Sequence, residues 1–152
     1  DDAFGYSVAM TESYIVVGAY GTRDPYKAGK VYIYDTPTGN LIHTLENPNA
    51  FGESREDNFG RGVAVCESYA IVGVYHEDGV EGDSTGVAYL FDIVTGNLLH
   101  TFINPNMYGT ATGDFFGYSV GVSETYSVVG AFREGFASSG ATYVFDNSTG
   151  GL

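Results

Sequence analysis

The sequence predicts an all-β protein made of three copies of one sheet, each copy four antiparallel strands except the last, which lacks its fourth. Two observations lead there. One segment is written three times: Asp2-Ala3-Phe4-Gly5-Tyr6-Ser7-Val8-Ala9 returns as Asp57-Asn58-Phe59-Gly60-Arg61-Gly62-Val63-Ala64 and as Asp114-Phe115-Phe116-Gly117-Tyr118-Ser119-Val120-Gly121. Phe4, Phe59 and Phe116 stand 55 and 57 residues apart, a period that marks stacked supersecondary units. The second observation is composition: 22 glycines, 13 tyrosines, 10 phenylalanines and no tryptophan in 152 residues describe short strands joined by tight turns. No stretch sustains a helical period.

Within each repeat the strands follow in fixed order. The first begins after Phe-Gly, at Tyr6 to Met10, Gly62 to Val65 and Tyr118 to Val122, and ends in a turn such as Thr11-Glu12-Ser13. The second, Tyr14 to Tyr20, Tyr69 to Tyr75 and Tyr126 to Phe132, is continuously apolar, which predicts cover on both faces. The third runs over Lys30 to Tyr34, Val87 to Phe91 and Ala141 to Phe145, and places Tyr32, Tyr89 and Tyr143 two residues before Tyr34, Phe91 and Phe145, so that each pair shares a face. The fourth, Leu41 to Leu45 and Leu98 to Phe102, follows the turns Thr38-Gly39-Asn40 and Thr95-Gly96-Asn97. Residues 1–152 thus read as one repeat domain, divided near 1–55, 56–112 and an incomplete 113–152.

Composition bounds the function. A hydrophobic share of 43% can hold one ordinary core, so disorder is not expected. A net charge of −13 repels phosphate backbones and anionic lipid, which argues against nucleic acid and membrane surfaces as partners. No apolar run approaches the roughly 20 residues that span a bilayer, so membrane insertion is not expected. A chain opening on Asp1 is expected to be processed or a piece of something longer. Cys66, alone, takes the repeat position of Thr11 and Ser123 and reads as a small structural side chain. The sequon Asn147-Ser148-Thr149 reads as a turn before it reads as a glycan site.

Four antiparallel strands covered on both faces suit a propeller blade. The Asp-x-Phe-Gly-x-Ser-Val-Ala opening, Val16-Val17-Gly18-Ala19-Tyr20 and Gly29-Lys30-Val31-Tyr32-Ile33-Tyr34-Asp35 resemble the FG-GAP repeat of integrin alpha-subunit propellers and of many bacterial surface proteins. The resemblance implies a β-propeller at the cell surface or outside the cell, concerned with adhesion or ligand binding. Two departures stand out. The Asp-x-Asp-x-Asp-Gly-x-x-Asp loop of calcium-binding integrin blades does not occur, and propellers typically close with four to eight blades, not three. Three blades would leave two apolar faces and a strand edge to be covered by a second chain, by head-to-tail stacking into a filament, or by further blades of a longer parent. A closed β-trefoil of similar length is the alternative fold.

Candidate sites are few. His43 and His100 share a repeat position on the fourth strand and read as structural, and His76 stands in a loop. No Ser-His-Asp or Cys-His arrangement stands out from the repeat background, so no enzyme is expected. The loop His76-Glu77-Asp78-Gly79-Val80-Glu81-Gly82-Asp83-Ser84 carries Glu77, Asp78, Glu81 and Asp83, a glycine-rich acidic stretch of the kind that wraps calcium; a solvated acidic loop is the other reading. Asp2, Asp57 and Asp114 recur before Phe-Gly, where a carboxylate can accept backbone N–H bonds. Asn47 to Asp57 and Asn104 to Asp114 keep one length, which predicts a packed linker. The function expected is a non-enzymatic extracellular binding or adhesion module with a protein or glycan ligand; the alternative is a structural subunit of an extracellular filament or sheath.

Overall fold

The computed structural model describes residues 2–22, 28–48, 56–78, 84–106 and 112–152. Their strands form three antiparallel sheets. The first is β1 (Ser7–Met10), β2 (Tyr14–Ala19), β3 (Lys30–Asp35) and β4 (Leu41–Glu46), paired in that order. The second is β5 (Gly62–Val65), β6 (Tyr69–Val74), β7 (Val87–Asp92) and β8 (Leu98–Ile103). The third holds β9 (Phe116–Val122), β10 (Tyr126–Ala131) and β11 (Ala141–Asp146). Three separate sheets and no closed barrel among the described residues rule out the β-trefoil and give three blades, the last without a fourth strand.

The turns are sequence chemistry. Asp92 closes β7 and accepts the N–H groups of Thr95 and Val94 at 2.7 and 3.1 Å, while Gly96 takes φ +72° behind them. Those bonds, the Thr95 amide first, hold the Asp92 carboxyl below its ordinary value. Asp35 and Asp146 repeat the arrangement, with Thr38 and with Ser148 and Thr149. In both complete blades the outer strand carries a bulge at one position: Ile33 pairs His43 but Tyr34 pairs Leu41, and Leu90 pairs His100 but Phe91 pairs Leu98.

Two apolar layers lie between the blades. Val16, Val31, Ile33 and Leu45 of the first meet Phe59, Val72, Tyr89 and Phe91 of the second. Ile71, Ala88, Leu90 and Phe102 of the second meet Phe116, Val129, Tyr143 and Phe145 of the third, with the Phe102 and Phe145 rings stacked at 4.4 Å. The middle blade is therefore covered on both faces, as its continuous apolar strands predict. β10 and β11 instead alternate buried and exposed residues, because among the described residues only one face of the third blade has a neighbour.

Three contacts recur at each junction. First, the Phe-Gly turn of one blade enters a glycine-lined groove of the blade before it. A Cβ built on Gly18 would stand 1.8 Å from the Gly60 carbonyl oxygen, and one on Gly29 would stand 2.0 Å from that of Phe59. At the next junction Gly73 and Gly86 meet the Gly117 and Phe116 carbonyls in the same way, at 1.9 Å each. Any side chain would fill the space the backbone occupies. The Phe59 and Phe116 amides are bonded by the Ala28 and Thr85 carbonyls at 3.0 and 3.1 Å, and both rings are wholly buried. Second, His43 bonds the Val94 carbonyl across the outer rim at 2.8 Å, and His100 bonds that of Asn147 at 2.9 Å. Third, a glutamate in each inner turn reaches back one blade: Glu124 accepts the Glu67 N–H at 3.0 Å, and the Ser13 hydroxyl holds the Glu67 carboxyl below its ordinary value.

Candidate functional site

Aromatic residues dominate the end of the blades where the inner strands begin and the second strands finish. Tyr6 and Tyr118 occupy the position after Phe-Gly, and Arg61 holds it in the middle blade. Tyr20, Tyr75 and Phe132 close the second-strand runs of the three blades. The alternation of a strand and the repeat of the blade bring these six together.

The contacts form a continuous row. Tyr6 meets Tyr20 edge-on at 4.7 Å. The Arg61 guanidinium carbon lies 5.5 and 5.9 Å from the Tyr6 and Tyr20 ring centres on one side, and 4.7 and 5.6 Å from those of Tyr75 and Tyr118 on the other. Arg61 also donates to the Tyr75 hydroxyl and, from Nη2, to that of Tyr6 at 3.3 Å. Tyr118 continues to Phe132 at 4.4 Å, Phe132 stacks on Phe115 at 5.6 Å, and Arg133 lies 4.9 Å from the Phe115 ring centre. His76 stacks on Phe115, and burial, then the Arg61 charge, lowers its pKa.

This surface is half wet. Tyr6, Tyr118, Phe132 and Arg133 are exposed, while Tyr75 is buried and anchors the row from beneath. Its charge opposes that of the protein as a whole. Among the described residues, Lys30 pairs with Glu46 and the other two strong cations, Arg61 and Arg133, both lie in the row. Cationic groups over aromatic faces contribute about 0.5 to 1 kcal/mol each at exposed sites, which helps to hold the row in shape.

Of the acidic loop residues singled out from the sequence, Glu77 and Asp78 lie among the described residues and make contacts within their own blade. Glu77 is wholly buried and accepts a hydrogen bond from the Tyr89 hydroxyl. Its repeat counterpart Glu134 is equally buried and bonded by the Tyr143 hydroxyl, with Oε2 lacking a hydrogen bond among the described residues. Asp78 accepts the Ser84 N–H at 3.0 Å. Glu81 and Asp83 lie outside the described residues. Among the described residues no group of three or more His, Cys, Asp or Glu side chains is placed to hold a metal ion.

Asp57 and Asp114 find partners other than the backbone donors expected for them. Asp57 accepts the Asn47 side-chain amide at 2.9 Å, and Asp114 that of Asn104 at 3.2 Å. Each bond ties the end of one blade to the start of the next, and the linker residues between them, 49–55 and 107–111, lie outside the described residues. Burial, then the charge of Asp78, pushes the Asp57 pKa up to about 7 against the Asn47 bond; burial and Glu134 raise that of Asp114. Asn147 is buried, donates to the Ser123 carbonyl at 2.9 Å and accepts from the Ser127 hydroxyl at 2.7 Å, which fits the turn reading of the sequon.

Sequence reading missed the aromatic and arginine row. Its signal is present in the repeats, as an aromatic residue after Phe-Gly in two copies and another at the end of every second strand. What hides it is that the two positions come from different strands. A profile of one protein family, the FG-GAP repeat, matches residues 1–34, 50–91 and 108–145. No curated protein matches the chain.

Proposed function

The chain belongs to the FG-GAP repeat family, and from that membership we propose that it is a non-enzymatic extracellular binding module whose ligand surface is the row from Tyr6 through Arg61 to Arg133. FG-GAP repeats are typical of extracellular, integrin-like proteins, and no helix among the described residues is long and apolar enough to cross a membrane. The observation that carries the reading is composition at one place: exposed tyrosine, phenylalanine and arginine side chains gathered into a single preorganised patch. Tyrosine and arginine are over-represented among the residues that dominate binding energy, because they bring large contact area and directed polar groups at small entropic cost. Exposed contiguous apolar surface rimmed by polar groups marks an interaction site. The ligand class is a protein or glycan carrying acidic groups, matched to the two arginines.

The test is an immobilised array of glycans and extracellular proteins probed with the protein and with Tyr118→Ala/Arg133→Ala, both substitutions being on exposed side chains. The expected result is retention of at least one acidic ligand by the parent and a loss of tenfold or more in the variant. Equal retention by the two proteins would overturn the assignment of the surface, and turnover of a substrate with no ligand retained would overturn the function.

A further inference from the structure

Arg61 stands in the middle blade, at the repeat position that Tyr6 and Tyr118 hold in the blades on either side. The first blade supplies Tyr6 and Tyr20, its own blade Tyr75 and the third blade Tyr118, so that all four ring centres lie within 5.9 Å of the guanidinium carbon. The side chain is nevertheless only half-buried.

Its hydrogen bonds leave part of it unused. A guanidinium carries five N–H donors and no acceptor. Nε and Nη2 each direct one to the Tyr6 hydroxyl, at 3.4 and 3.3 Å, and Nη1 directs one to the Tyr75 hydroxyl. One N–H therefore remains on each of the two terminal nitrogens, whose spacing suits the two oxygens of a carboxylate. Among the described residues no carboxylate pairs with Arg61, although the chain carries a net charge of −13.

The tyrosines add donors at the same place. The Tyr6 hydroxyl accepts from Arg61, so its own O–H is turned to another acceptor. The Tyr118 hydroxyl makes no hydrogen bond among the described residues. Both side chains reach water, at 54% and 45% exposure. Guanidinium N–H and phenolic O–H groups thus collect on an open surface, an arrangement that suits an incoming anionic group.

Resting on the reading of the row as the ligand surface, we propose that Arg61, Tyr6 and Tyr118 form the subsite for the carboxylate of an acidic sugar residue. The carboxylate takes the two remaining N–H groups of Arg61 and the O–H of Tyr6, while the C–H face of the sugar ring lies on Tyr118, whose ring face is electron-rich. Charge favours a sugar over an acidic peptide. One guanidinium on a chain of net charge −13 attracts one anionic group and cannot offset the repulsion of a run of them, and a uronate residue carries its single carboxylate on an otherwise neutral, hydroxyl-rich ring. Arg61 is then the residue that makes the row prefer acidic to neutral saccharides.

The experiment is a heteronuclear NMR titration of the isotope-labelled chain, following the Arg61 Nε–H and the backbone amides of the row, with methyl β-glucuronide, methyl β-glucoside and a blocked peptide of four acidic residues as probes. The variants are Arg61→Lys and Tyr6→Phe, with far-ultraviolet circular dichroism to verify folding; Tyr6→Phe, on an exposed ring, carries the test should Arg61→Lys not fold. The glucuronide is expected to shift the Arg61 Nε–H saturably and to bind at least tenfold more tightly than the glucoside or the peptide. Arg61→Lys, which keeps the charge and loses the fork, is expected to lose that tenfold preference, and Tyr6→Phe to weaken the glucuronide severalfold. An Arg61 Nε–H that does not move, equal affinity for glucuronide and glucoside, peptide binding as tight as the glucuronide's, or variants that bind the glucuronide as the parent does would each overturn the proposal. None of these results alters the array comparison of the parent with Tyr118→Ala/Arg133→Ala, so the subsite and the row as a ligand surface fail separately.

Discussion

Asp57 is expected to contribute stability that falls as pH rises. It lies at the first junction, almost wholly buried, bonded to Asn47 and near the Asp78 charge, with its pKa raised from an ordinary 3.8 to about 7. An acid whose folded pKa exceeds its unfolded one stabilises the fold while protonated; that contribution is complete below the unfolded value and is lost as pH rises through the folded one. The slope between those limits is up to about 1.4 kcal/mol per pH unit, and the curvature near pH 7 leaves a loss of about 2 kcal/mol between pH 5 and pH 7. Asp57→Asn keeps an oxygen for the Asn47 amide and removes the titration. His76, with its lowered pKa, acts in the opposite sense over this window, so the quantity to follow is the parent minus Asp57→Asn difference at each pH. Urea unfolding at pH 5, 6 and 7 should show the variant gaining on the parent by about 2 kcal/mol across the series. A difference that stays constant from pH 5 to pH 7 would refute the reasoning.

Glycine at the junctions is expected to be far less replaceable than glycine in the free turn. Gly73→Ala sets a Cβ against the Gly117 carbonyl and should cost about 3 kcal/mol or prevent folding, whereas Gly5→Ala meets open space and should cost only the positive-φ strain of about 1 kcal/mol; thermal melting separates the two. Tyr143→Phe removes the hydroxyl that serves buried Glu134 and should destabilise by about 1 to 3 kcal/mol in urea, most of which Tyr143→Phe/Glu134→Met should restore. His100→Ala deletes the outer-rim bond to the Asn147 carbonyl and should lower stability by about 1 kcal/mol, measured the same way.

The blades were legible because a strand's pairing and a turn's closure are local. Val16-Val17-Gly18-Ala19 announces a buried strand and Asp92-x-x-Thr95-Gly96 a closed turn without reference to anything distant. The same locality misleads at Glu77. As text it belongs to an acidic loop, yet its side chain is buried and bonded by the Tyr89 hydroxyl, twelve residues on. The recurring aspartates were found by repetition, but their partners were not. Asp57 accepts from the Asn47 side chain, ten residues earlier in the chain, a partner that repetition alone does not name.

By itself, then, the sequence determined three all-β blades, their order of strands and the special standing of Phe-Gly, since periodicity and turn chemistry act over a few residues. Only the tertiary structure decided what Phe-Gly is for. The turn is the plug of each junction, and its glycine partners Gly18, Gly29, Gly73 and Gly86 belong to the blade before it, a relation set by backbone-to-backbone approach across dozens of residues. The same stacking draws Tyr6, Arg61, Tyr75, Tyr118 and Phe132 into one surface, because side chains from different strands become neighbours only after the sheets have packed.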